Sequence, residues 1–320
     1  MGSKTAIFQV AVIAFGAILS GCGAGGGGRV TLLPTPTPQP PAASIIAPTP
    51  GSIYLGAVVN VSQGGIAALE LTIGRTLALD VHTYKWTANF PGNNESADLL
   101  AGRVPVEMWS CGPSDAQIVA GDADLLIQTR ATTVLQYGHP VFISYFPDAN
   151  VPASTAVRQA CLDPATDPGQ TFSPVEYIAA WQHIRAIFAA TGVTNAVWLW
   201  ATNSAGSNPL PYYPGSSQVD WVAMNAYDAT DVTFAQTFAT MYATLAPLNK
   251  PMMVSGTGAN ALNQAPFFQG APQVLQSQFP QIEGFVYNDT NDSGPYTLTM
   301  AGLTAFEGFA SDPYMSAMPP

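Results

Sequence analysis

The chain has 320 residues, 48% of them hydrophobic and only 9% charged, so it is globular and long enough for one large core or two smaller ones. Twenty acidic residues against nine basic ones give a formal net charge of -11. That balance lacks the basic footprint that phosphate backbones require and repels an anionic membrane surface, so nucleic acid is not an expected partner.

In chain order, Lys4 and the apolar run from Ala6 to Leu19 read as the n- and h-regions of a secretory signal, the run being short for a membrane span. Leu19-Ser20-Gly21-Cys22 resembles the bacterial lipobox, so residues 1–21 are expected to be a lipoprotein-type signal peptide with Cys22 as the lipidated residue. A cleaved signal with an incidental cysteine is the alternative. The first reading puts the protein in a bacterial cell envelope, anchored to a membrane and extracytoplasmic, facing the periplasm or the cell surface. Residues 22–50 are rich in Gly, then Thr and Pro, and read as a tether with little to build a core from. Cys111 and Cys161 remain, and in an oxidising compartment they are expected to form a disulfide, with a thiol nucleophile as the alternative. His82, His139 and His183 are scattered without zinc-ligand spacing, and neither a metal nor a cofactor is expected.

From Gly51 to Pro320 apolar strand-like runs alternate with amphipathic helical stretches. The expected strands are 53–60, 76–82, 104–109, 141–146, 196–200, 220–227, 251–255 and 284–287. Eight such repeats predict an α/β fold, a single closed (β/α)8 TIM barrel in one domain, 51–320. An open doubly wound sheet would call for a glycine-rich phosphate loop after the first strand, and "NVSQGG" lacks that spacing. Ser173-Pro174-Val175-Glu176 predicts a capped helix start, after which Ile178, Trp181, Ile184 and Phe188 recur at helical spacing. Trp181 and His183 are read as packing residues of that helix.

Chemistry in such barrels sits at the C-terminal strand ends. These ends carry Asp80, His82 and Trp86, then Glu107 and Trp109, then Tyr145, Asp148 and Asn150. Next come Trp198, Trp200 and Asn203, then Asn225, Tyr227 and Asp228, then Ser255-Gly256-Thr257, and last Tyr287, Asn288 and Asp289. Aromatic platforms beside amides and carboxylates suit a sugar ring, with its apolar faces and hydroxyl rim. His82, Trp86, Trp109, Tyr145, Asn150, Trp200, Asn203, Asn225, Tyr227 and Tyr287 are therefore the expected substrate-binding set, with filling of the barrel as the alternative for any single aromatic.

The stretch "YIAAWQHIRAIFAATGVTNAVWLWATN" followed by "YYPGSSQVDWVAMNAYD" resembles glycoside hydrolase family 26, the endo-β-mannanase type. The resemblance implies a retaining barrel enzyme with a glutamate acid/base after the fourth strand and a glutamate nucleophile at the end of the seventh. Here "SYFPDAN" puts Asp148 at the acid/base position, and "KPMMVSGTG" puts Gly256 at the nucleophile position. Both catalytic glutamate positions are thus substituted. Asp148 retains a carboxyl on a shorter stem, whereas Gly256 offers no nucleophile.

Three functions follow as expectations. The first is a surface-anchored lipoprotein that engages β-linked, mannan-like polysaccharide as a monomer, with retaining hydrolysis lost or severely impaired. The second is an active inverting or substrate-assisted glycosidase that uses Asp148 with a relocated carboxylate from Glu107, Asp228 or Asp289. The third is a structural envelope lipoprotein.

Overall fold

Eight short runs of alternating or continuous apolar character pair side by side into one closed sheet. A computed structural model describes residues 46–88, 90–110, 112–151, 173–228, 231–291 and 294–320. The chain divides into Met1–Gln39, outside the described residues, and Pro40–Pro320. Cys22, Cys111 and Cys161, and with them the expected lipidation and disulfide, also lie outside the described residues.

The strands are β1 (Tyr54–Val59), β2 (Leu79–Lys85), β3 (Val104–Ser110), β4 (Val141–Tyr145), β5 (Ala196–Asn203), β6 (Trp221–Asn225), β7 (Met252–Thr257) and β8 (Ile282–Asp289). Each is parallel to its neighbours and β1 closes on β8, the expected (β/α)8 barrel. Several strands run further than their apolar residues suggest, β7 to Thr257 and β8 to Asp289 among them. β5 continues through Thr202 and Asn203, which pair with Met224 and Asn225 of β6, and β2 continues to Lys85 in register with β3. Ladder bonds are blind to side-chain polarity, so the sheet persists where the hydrophobic run has ended.

The helices that cover the barrel are α1 (Gly65–Ile73), α2 (Asn93–Ala101), α3 (Asp115–Ala120), α4 (Asp124–Tyr137), α5 (Pro174–Ala190), α6 (Phe234–Leu245), α7 (Gln264–Phe268), α8 (Ala271–Gln278) and α9 (Met300–Ala310). Among the described residues, none is long and apolar enough to cross a membrane. Strand side chains alternate between two cores. Tyr54, Val106, Met108, Phe142, Leu199, Ala201, Trp221, Ala223, Met253 and Val286 fill the lumen. Trp109, Ile143, Tyr145, Trp198, Trp200, Met224, Val254, Phe285 and Tyr287 point the other way and pack with the helices. Ile46 is buried with the lumen set, so packing begins inside the expected tether segment.

The best-signed helix, α5, forms as its sequence predicts. Ser173 Oγ accepts from Glu176 N at 3.1 Å, and Tyr177, Ala180, Trp181, Ile184 and Phe188 make its buried stripe. Trp181 is fully buried, edge-on to Trp198 at 5.8 Å, and donates its ring N–H to Gln218 O at 3.1 Å. His183, as expected for a packing residue, satisfies a neighbour, bonding Asp124 at 2.6 Å. Trp181→Ala is predicted to lower the unfolding free energy by about 3–5 kcal/mol, measured by urea denaturation. A loss under about 1 kcal/mol would mean that α5 is not packed on the barrel in this way.

Candidate functional site

The mouth of the lumen is where β4 to β8 end. The turn after β4 bends sharply there, with Phe146 at φ 40° and Asp148 at φ 63°. It is pinned by Asp148 N donating to Ala201 O of β5 at 3.0 Å. The left-handed region suits aspartate better than most residues, because its short polar side chain tolerates the crowding.

The Asp148 carboxylate is held by two amides. Asn203 Nδ2 of β5 donates to Oδ2 at 3.1 Å, and Asn225 Nδ2 of β6 donates to Oδ1 at 2.8 Å. Asn225 is fixed in turn by Ser255, whose Oγ donates to Asn225 Oδ1 at 2.9 Å. These residues share the lumen parity of Ala201, Ala223 and Met253, and so converge across three strands.

Gly256 lies beside them, opposite Asn225 where β7 slips register against β6. A Cβ built on Gly256 would sit 2.8 Å from both Asn225 Oδ1 and Tyr227 OH. Neighbouring polar groups hold the space that a side chain at 256 would need. Tyr227 accepts from Asn288 Nδ2 at 3.2 Å and stacks on Tyr296 with ring centroids 4.8 Å apart. The mouth therefore presents Asp148, Asn203, Asn225, Tyr227 and Asn288, with Ser255 beneath. Tyr296, which comes from the loop after β8, was not signalled by any strand end.

Several expected sugar contacts lie elsewhere. Trp86, Trp109, Tyr145, Trp200 and Tyr287 are each at most 3% exposed. All but Trp86 stand on the outward parity of their strands, against the helices, and Trp86, from the turn after β2, joins them there. Trp86 stacks on Trp109 at 4.2 Å, and Tyr145 OH donates to Asp115 of α3. Trp200 packs on Tyr213, and Tyr287 OH donates to Tyr296 O at 2.9 Å. No ring face of these five is open to a ligand, so they correct the expected aromatic platform. The alternation W-L-W-A-T-N already carries the signal, since Trp198 and Trp200 share one face of β5 and Asn203 takes the other. Asn150 is likewise structural. Its Nδ2 donates to Asn203 O and Ser207 O, both at 2.8 Å, and its Oδ1 accepts from Asn203 N at 3.0 Å.

Of the three candidate second carboxylates, Asp228 and Asp289 accept hydrogen bonds in their own loops, and Glu107 lies on the outward parity of β3. Asp228 is fully buried and accepts from Val232 N at 2.9 Å and from Asn263 Nδ2, closing the loop after β6. Asp289 accepts from Leu298 N at 2.7 Å. Burial pushes its carboxyl above the usual range, offset in part by that bond. Glu107 stands on the outer face of β3, where burial and then the neighbouring Glu95 hold its carboxyl well above the usual range.

His82 also belongs to that outer face. It bonds Asp98 at 2.7 Å and lies 3.7 Å from Asp80. Burial lowers its affinity for a proton, but Asp98 and Asp80 outweigh this and raise its pKa. Burial pushes Asp80 up to about 7 against the opposing charge of His82.

Three comparisons bear on this geometry. The family model described as Glycosyl hydrolase family 26 matches residues 171–294. Endoglucanase H of Acetivibrio thermocellus is 26% identical over 247 residues, covering 72% of this chain, while the chain spans 27% of that protein's length. Among solved structures, Bacillus subtilis mannanase man26 has a TM-score of 0.58 at 14% identity, covering 85% of this chain and 87% of that one. The GH26 domain of an endo-beta-mannanase/endo-beta-glucanase from Prevotella bryantii has a TM-score of 0.59 at 14% identity, covering 86% and 93%. At that identity the structures establish the fold, and the family match bears out the resemblance in the central stretch.

The raised carboxyl of Asp289 has a consequence for stability. Its folded pKa lies above the unfolded value of about 3.9, so its contribution is full below that pH and is lost as pH rises through the raised folded value. Asp289→Asn is therefore predicted to gain stability relative to the parent between about pH 4 and pH 8, followed by urea unfolding at both. A difference that stays constant with pH would contradict this.

Proposed function

From a chain that carries a glycoside hydrolase family 26-type domain, we propose a polysaccharide-engaging protein that binds a β-mannan-like chain at the barrel mouth and has lost retaining hydrolysis. The observation that carries this reading is at Gly256. The position that the resemblance assigns to the nucleophile has no side chain, and Asn225 Oδ1 and Tyr227 OH stand 2.8 Å from where its Cβ would be. A retaining mechanism needs two carboxyls about 5–5.5 Å apart, one of them attacking the anomeric carbon. Here Asp148 keeps one carboxyl, Asp228 and Asp289 are hydrogen-bonded in their own loops, and Glu107 lies on the outward parity of β3, which weighs against a relocated partner.

The ligand class follows from the donors and from the relatives. Asn203 and Asn225, both partly exposed, offer amides to ring hydroxyls, and Tyr227 adds a partly exposed ring. Two structural relatives are mannanases by name, and the curated relative is named an endoglucanase, which supports a β-linked hexose polymer. In this proposal Cys22 and the segment 22–50 hold the domain, as a monomer, on the extracytoplasmic side of a membrane.

Affinity electrophoresis in soluble β-mannan is expected to retard the protein, with Asn225→Ala and Tyr227→Ala each weakening the retardation about tenfold. No reducing ends should be released. Hydrolysis that disappears in Asp148→Ala would overturn the loss of activity, and absence of binding to mannans, glucans and xylans alike would overturn the ligand.

Restoring both glutamates tests the groove itself. Asp148→Glu with Gly256→Glu is predicted to release reducing ends from β-mannan where the parent releases none. The crowding at 256 predicts a stability loss of about 1–3 kcal/mol. A folded but inactive double variant would place the loss of chemistry beyond these two positions.

A further inference from the structure

On the opposite face of β2 and β3 from the lumen lies a group of ionisable side chains that the barrel mouth does not use. Asp80 and His82 share the outer parity of β2, and Glu107 pairs with His82 across the ladder from β3. Above them, Glu95 and Asp98 lie one turn apart on α2 and project from the same side of the helix. One ligand atom from each of His82, Glu95 and Glu107 lies within 4.8 Å of the other two, and the same holds for Asp80, His82 and Asp98.

Two guanidiniums compensate part of this charge. Arg103 donates to Asp98 and Glu70, each at 2.8 Å, and so is spent on one side of the group. Arg130 lies over the rings of Phe90 and Trp109 at 5.2 and 5.5 Å and donates to Ala88 O. Glu107 is 3% exposed, yet neither of its carboxylate oxygens has a hydrogen-bond partner. A buried carboxyl in that state is expensive unless a cation or a donor meets it. A carboxylate oxygen of Glu107 lies within 4.8 Å of a ligand atom of both His82 and Glu95, the two groups best able to share a cation with it.

We propose that His82, Glu95 and Glu107 bind one divalent cation of the zinc class between β2, β3 and α2. One imidazole and two carboxylates form a donor set that suits zinc or manganese, whereas calcium and magnesium prefer oxygen alone. Asp98 bonds His82 at 2.7 Å and Tyr84 bonds Glu95 at 2.6 Å, and these outer partners orient two of the three ligands. The site faces the helix layer, away from Asp148, so its role is to tie α2 to the sheet. It stands independently of the polysaccharide reading.

The test adds Zn²⁺ to full-length protein stripped with a chelator and dialysed, and reads uptake by competition with a chromophoric chelator alongside thermal unfolding. Binding of one equivalent that raises Tm is expected. In Glu107→Gln, nearly the same shape without the charge, the affinity should fall by at least about tenfold while the metal-free protein still unfolds cooperatively. His82→Asn should do the same. Failure to take up Zn²⁺ or Mn²⁺ would overturn the site. So would uptake that Glu107→Gln and His82→Asn leave unchanged, which would put the ion elsewhere on the chain. If Glu107→Gln raises the Tm of a protein that binds no metal, Glu107 is a protonated acid leaning on Glu95, and the proposal fails.

Discussion

In a closed barrel of eight parallel strands, each strand residue goes either to the lumen or to the helix layer, and the destination alternates along the chain. That single constraint distributes the chemistry of this protein. The large aromatics Trp109, Tyr145, Trp198, Trp200 and Tyr287 fall on the outward parity and become the seat for the helices. The small and amide residues Ala201, Asn203, Ala223 and Asn225 fall on the inward parity, and the last of each pair reaches the mouth. A shift of one residue in any of these strands would exchange platform for core.

The mouth that results carries little charge. Two carboxylates set close enough for covalent glycoside chemistry repel one another, and an enzyme maintains that repulsion for the sake of rate. Around Asp148 two amides donate to its carboxylate, while a hydroxyl and a phenol bond the neighbouring amides Asn225 and Asn288. Such a network is polar and free of like-charge strain.

Much of the fold was legible in the sequence because its signals are local and repeat. Eight apolar runs, the Ser173-Pro174 helix start and the central glycoside hydrolase family 26 motif each rest on a few adjacent residues. Asp148, Asn203, Asn225 and Tyr227 were also legible as strand-end residues. What sequence reading missed depended on direction. Trp200 and Asn203 are close in sequence but face opposite sides, and only counting alternation separates them. Asn150 looked like a sugar contact, yet it closes a loop whose partner, Ser207, lies far along the chain. The group around His82 was read as a scattered histidine because its carboxylate neighbours come from a helix and another strand.

The turn that carries Asp148 and the strand end at Gly256 limit which side chains each can hold. At φ 63° an aspartate is at ease and a glutamate is less so, while at Gly256 the flanking Asn225 and Tyr227 already stand where a new side chain would go. The obstacles differ in kind, backbone conformation at 148 and occupied space at 256. The barrel mouth is built around the side chains it holds, so a larger group at either site enters only by displacing a neighbour or straining the chain.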